Sequence, residues 1–205
     1  MAIPVLLVPG APVTLALRAI RRRTDGSRGP REWILLAVHS RIAGVFSRPV
    51  VAAVFFVGSL WIFYYSPLFR FAVEDHIGHT VMIVHFLITG YLFVQTLIGV
   101  DPMPYRASYP MRLLVLLTTM AFHAFFGVSL MTGTGLLAAD WYGAMGRTWG
   151  PSALVDQQIG GGIAWSIGEI PTLVLALAVV VMWARSDSSL AKRLDRKADR
   201  DGDAD

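Results

Sequence analysis

Four stretches of this chain, residues 50–69, 79–100, 111–137 and 159–184, run on with almost no charged side chain, and these runs restrict the possible folds more than any other feature. A helix rising about 1.5 Å per residue needs roughly 20 apolar residues to cross the hydrocarbon core of a bilayer, and it satisfies its own backbone groups while doing so. A fifth run, residues 3–20, is interrupted by Pro9, Gly10 and Pro12 and reads as a short or kinked helix. Between the first two runs, residues 33–46 set Ile34, Leu35, Val38, Ile42 and Val45 at helical spacing beside His39 and Arg41, the pattern of a helix lying flat at the membrane surface. The expected fold is therefore all-α: a polytopic transmembrane bundle of about five spans plus one interfacial helix. A 55% hydrophobic and 16% charged composition, with mean hydropathy +0.56, agrees with that class. Residues 1–185 are expected to form the membrane domain, and residues 186–205 a charged tail whose helix fades into a disordered Asp-rich end.

Basic residues set the expected orientation. Arg21, Arg22, Arg23, Arg28, Arg31, Arg41 and Arg48 crowd the segment after the first run, and Arg185, Lys192, Arg193, Arg196 and Lys197 crowd the tail. Only Arg70 and Arg147 fall in the alternate segments. The positive-inside rule then puts the N-terminus outside and the tail in the cytoplasm. Because the formal charge of +4 is spent at the ends of apolar runs, it marks membrane orientation and not nucleic-acid binding. The N-terminal apolar stretch precedes its arginines instead of following them, so it is not a secretory signal peptide.

With no cysteine in the chain, thiolate metal sites and disulfides are excluded, and any metal must be held by His, Met, Asp or Glu. Four of the five histidines, His76, His79, His85 and His123, lie in or beside the third and fourth spans. The third opens as His76-x-x-His79-x-x-Met82-x-x-His85, and steps of three place successive members on overlapping helix faces, so neighbours can chelate one ion. His79 and His85 are roughly 9 Å apart along the axis and would share an ion only across a bend. By rise per residue, His123 in the fourth span and Glu169 in the fifth reach a similar depth. Together with His85 they can be brought around one polar pocket opening outward.

Imidazole with thioether and no thiol is a donor set suited to Cu(I), although zinc fits imidazole and carboxylate, and a bis-histidine haem could use His85 and His123. The plainer readings stand beside these. A membrane histidine can simply hydrogen-bond to a neighbouring helix, Met82, Met120 and Met131 can be gap-fillers, and Glu169 can anchor two helices. The third and fourth runs grow apolar toward their inner ends (Leu92, Phe93, Leu97, Ile98; Leu113, Leu114, Leu116, Leu117), which speaks against a copper permease. The outer segment from Asp140-Trp141-Tyr142 to Asp156-Gln157-Gln158 is long enough to fold over the outer mouth and receive a partner.

The stretches Gly78-His79-Thr-Val-Met82-Ile-Val-His85-Phe86, Gly99-Val-Asp101-Pro102, Ala121-Phe-His123-Ala-Phe125-Phe126-Gly127, Ala139-Asp140-Trp141 and Asp156-Gln157-Gln158-x-Gly160-Gly161-Gly162-x-x-Trp165 occur in the order found in a known family. The chain resembles the CtaG-type cytochrome c oxidase assembly factors. The likeness is closest to an actinobacterial branch in which this region follows a CopD-like copper-resistance domain, so a fragment of a longer protein is expected. The resemblance implies a plasma-membrane metallochaperone, not an enzyme, supporting copper insertion into the oxidase. Its partners would be an oxidase subunit and a copper donor. Carried over by motif, the matching residues are His79, His85 and His123, with Met82 beside them.

Overall fold

The computed structural model describes residues 2–23 and 27–202, and all regular structure among them is helical. The Asp-rich end expected to be disordered, from residue 203, lies outside the described residues.

The first apolar run breaks where its prolines predict. α1 (Ala2–Leu7) passes through a single 3-10 turn (Val8–Gly10) and Ala11, at φ 48°, into α2 (Pro12–Ala19). Neither piece is long enough to cross a bilayer. The interfacial segment divides in the same manner into α3 (Pro30–Val38) and α4 (Arg41–Phe46), whose start is capped by Ser40 Oγ accepting from Ala43 N at 3.1 Å. Here His39 bonds only within its own helix, Nδ1 lying 2.8 Å from Leu35 O.

The 50–69 run is not one straight span. α5 (Pro49–Tyr64) stops at Tyr65, and after Ser66 the chain restarts as α6 (Pro67–Glu74), bent by 74° from α5. Pro67 has no N–H to continue the ladder and forces Ser66 into extended backbone (φ −131°, ψ 173°), where its hydroxyl caps Leu68 N. α7 (His76–Ile98) and α8 (Tyr109–Thr132) follow, then the short outer α9 (Ala139–Ala144) and α10 (Ala153–Gly202), which continues as one helix into the charged tail. Among the described residues three helices are long and apolar enough to cross a membrane, or four if α5 and α6 together make one bent span. The expected count of about five is not confirmed, because the first run folds as two short helices.

Packing is concentrated along α8, which carries α10 on one side and α5 on another, while α5 also packs on α7. The fully buried side chains Val8, Phe93, Val94, Leu97, Leu116 and Leu175 gather around the C-terminal half of α7, with Phe56 stacked on Phe93 at 5.8 Å. α1 closes this core by setting Pro4 against Gly90, in the middle of α7.

Candidate functional site

Asp75 starts α7 by accepting hydrogen bonds from Ile77 N (2.7 Å) and Gly78 N (3.0 Å), so His76 and His79 are carried at the N-terminal end of the helix. Both are exposed, whereas Met82 and His85 are half-buried. The His85 ring lies edge-on to Phe55 of α5 at 5.7 Å and to Phe86 at 5.2 Å. None of these imidazoles hydrogen-bonds to another described residue.

His123 belongs to a different place. On α8 it lies over Gly168 of α10, and a Cβ on Gly168 would overlap the imidazole. The same interface is close elsewhere: a Cβ on Gly127 would stand 2.7 Å from Trp165 Cβ, and one on Gly161 2.8 Å from Leu130 Cβ. Small residues are what let α8 and α10 approach so nearly. Glu169 is exposed on α10, close enough to His123 to act on it electrostatically. Thus His123 and Glu169 are neighbours, while His85 faces α5. Among the described residues no three His, Asp or Glu side chains stand close enough to hold one metal ion together, so the expected meeting of His85, His123 and Glu169 is not formed. Met131 touches the Gly162 position, and Met120 is half-buried.

The segment between α8 and α10 is fastened over the start of α10. Gln157 accepts from Leu137 N (2.8 Å) and donates to Gly135 O (3.0 Å), and Gln158 donates to Gly133 O (3.0 Å). Arg147 pairs with Asp156 at 2.9 Å, and Arg70 reaches Asp140 at 3.4 Å. Below this cover is a cavity of about 720 Å³ whose walls include Tyr64, Phe69, Leu137, Tyr142 and Gln157. The histidines do not line it.

One polar cluster escaped the sequence reading. Asp101, only 1% exposed in the loop after α7, accepts from Val13 N (3.2 Å), Thr14 N (2.7 Å), Thr14 Oγ1 (2.7 Å) and Tyr91 OH (3.2 Å). Its carboxylate thereby caps α2 from a loop 87 residues away along the chain from Thr14, satisfying N–H groups that the first turn of a helix leaves free. Arg106 binds the carbonyls of Gly99 and Asp101, and Arg112 those of Leu97 and Ala107, so the α7–α8 loop is itself rigidly held. The only local signal was the Gly99-Val-Asp101-Pro102 turn, which shows a bend but not its partner.

The model of the family described as cytochrome c oxidase caa3 assembly factor matches residues 1–186. Among curated relatives, the uncharacterized protein Mb0105 of Mycobacterium bovis is 48% identical over 202 residues, covering 98% of this chain and 31% of that protein. The uncharacterized protein ML1998 of Mycobacterium leprae is 47% identical over 200 residues, covering 97% of this chain and 30% of its own length. The chain thus spans less than a third of the curated relatives it matches. No solved structure matches it. A family match across the whole membrane bundle, together with apolar helices of spanning length, leads to one assignment: the chain belongs to the cytochrome c oxidase caa3 assembly factor family, Caa3_CtaG.

Proposed function

We propose that this protein is a non-catalytic metallochaperone of the bacterial plasma membrane that carries Cu(I) as cargo toward cytochrome c oxidase. The observation carrying this reading is the outer half of α7, where His76, His79, Met82 and His85 follow at three-residue steps with imidazoles free of hydrogen bonds. Two-coordinate Cu(I) needs only a pair of soft or borderline donors, so His79 with Met82 and Met82 with His85 make adjacent pairs along one helix. The exposure of His76 and His79 suits receipt from a copper donor. His123 is a further candidate ligand, and the carboxylate of Glu169, next in sequence to the Gly168 that His123 overlies, would favour a cationic complex there. With the charged tail in the cytoplasm and α10, α8 and α7 each crossing once, the start of α7 faces outward.

Neither rival gains support from the geometry. His85 faces α5 and His123 faces α10, which does not favour a haem held between them. The inner half of the bundle is filled by Phe93, Leu97, Leu116 and Leu175, which does not favour a path for copper through the membrane.

Detergent-purified protein loaded with Cu(I) under reducing conditions should retain near-stoichiometric copper, without a Soret band. A His79→Ala/His85→Ala/His123→Ala variant with an unchanged melting curve should retain at least about ten-fold less, the factor expected when about 1.4 kcal/mol of binding is removed. Equal copper in both would refute the assignment of these ligands.

A further inference from the structure

α10 presents three distinct faces to its surroundings at about 100° per residue. One, formed by Gly161, Gly168, Thr172, Leu175 and Val179, is buried or half-buried against the bundle. A second, formed by Ile163, Ile167, Ile170, Val174, Leu177 and Val181, is exposed and entirely aliphatic, as a surface touching lipid tails should be. The third carries Gly162, Trp165, Ser166, Glu169 and Leu173 at i, i+3 and i+4 spacing, and apart from the half-buried Gly162 it is exposed. Nothing about this flank resembles the lipid-facing one next to it.

Glu169 lies about 15 Å along the helix axis from Ile159, near the middle of the apolar run. Acidic side chains at that depth ordinarily turn into the bundle or pair with another group, since hydrocarbon cannot solvate them. Glu169 does neither completely: it is exposed, and no described residue donates a hydrogen bond to it. Arginines and lysines of the chain sit at the ends of the spans and cannot reach it, and His123 acts on it only from across the α8–α10 interface. Small and hydroxyl-bearing residues beside an acid at mid-span, as at Gly162 and Ser166, are the chemistry by which membrane helices approach and bond one another.

We propose that this flank of α10 is a second helix-packing interface, and that its occupant is a transmembrane helix from a partner protein bearing a lysine or arginine at mid-depth. The cation meets the Glu169 carboxylate, Gly162 allows close approach, and Trp165 packs alongside. The complementary charge restricts which helices can bind, because a cation and a carboxylate that are each costly in hydrocarbon offset one another only when paired. This does not depend on copper: an assembly factor that never touched the metal would present the same flank.

The test uses the full chain in lipid nanodiscs, labelled through a Ser188→Cys substitution that exploits the absence of native cysteine. The probes are acceptor-labelled polyleucine transmembrane peptides with either one central lysine or leucine alone. Energy transfer should show the lysine peptide binding at least ten-fold more tightly than the leucine peptide. Glu169→Gln, which keeps the side chain's size, should erase that preference, and Ile167→Ala on the lipid face should leave it intact. Equal binding of the two peptides, or a preference surviving Glu169→Gln, would overturn the proposal. So would Glu169-dependent self-association of the chain without preference for the lysine peptide, which would make the occupant a second copy.

Discussion

Asp101→Ala is expected to lower the melting temperature in detergent by roughly 10 °C, the shift for a loss of about 3 kcal/mol in a chain of this size. Asp101 is almost wholly buried, and it accepts bonds from two backbone N–H groups of α2, the Thr14 hydroxyl and the Tyr91 hydroxyl. Hydrogen bonds to a charged group contribute about 1.5–3 kcal/mol each, and a buried donor left without its acceptor costs more than the bond was worth. Thr14→Val removes only one of the four donors and should cost about 1 kcal/mol, with Asp101→Asn falling between the two. Because α2 leads directly into the exposed Arg21, Arg22 and Arg23, trypsin should also cut Asp101→Ala there faster, at temperatures well below global melting. An Asp101→Ala protein that melts and digests like the wild type would mean the clamp does not hold α2.

Gly161→Ala should separate sharply from Gly160→Ala although the two residues are adjacent. Both substitutions gain about 1 kcal/mol of helix propensity, so that contribution cancels in the comparison. A Cβ at Gly161 would stand 2.8 Å from Leu130 Cβ and 2.9 Å from the Met131 backbone nitrogen, whereas at Gly160 it meets nothing within 4 Å. Since Met131 N belongs to the helix backbone, only the separation of α8 from α10 relieves that clash. Overpacking of this kind costs about 1–3 kcal/mol, and a Tm lower by roughly 5 °C is expected for Gly161→Ala. Gly160→Ala, with the propensity gain and no clash, should melt about 2–4 °C above the wild type. Equal melting of both variants would show that α8 and α10 do not approach this closely.

Some of the architecture could be read from the chain because its causes are local. Hydropathy over windows of about 20 residues located α7, α8 and α10, and Pro9, Gly10 and Pro12 marked the break in the first run. Ser66-Pro67 carries an equally local signal, yet it lay inside an apolar run and was passed over. The 74° turn that follows depends on α6 finding a place against α7. Depth was also legible: rise per residue put His123 and Glu169 at one level, and the two are neighbours in the fold. Azimuth was not, and that is why His85 is turned to Phe55 on a different helix.

From sequence alone came the helical membrane class, the family, the concentration of histidine at one end of α7 and the single acid deep in α10. The family came from the resemblance of motifs in their order, and the rest from composition and from contacts within a few residues, which a linear chain displays directly. Only the tertiary structure decided that Asp101 caps a helix 87 residues away, that His85 and His123 look to different neighbours, and that Glu169 lies on an open flank. Each of those depends on how helices rotate about their axes and which of them meet. That rotation is set by the summed packing of α8 against α10 and α5, a quantity distributed over the whole bundle and carried by no short motif.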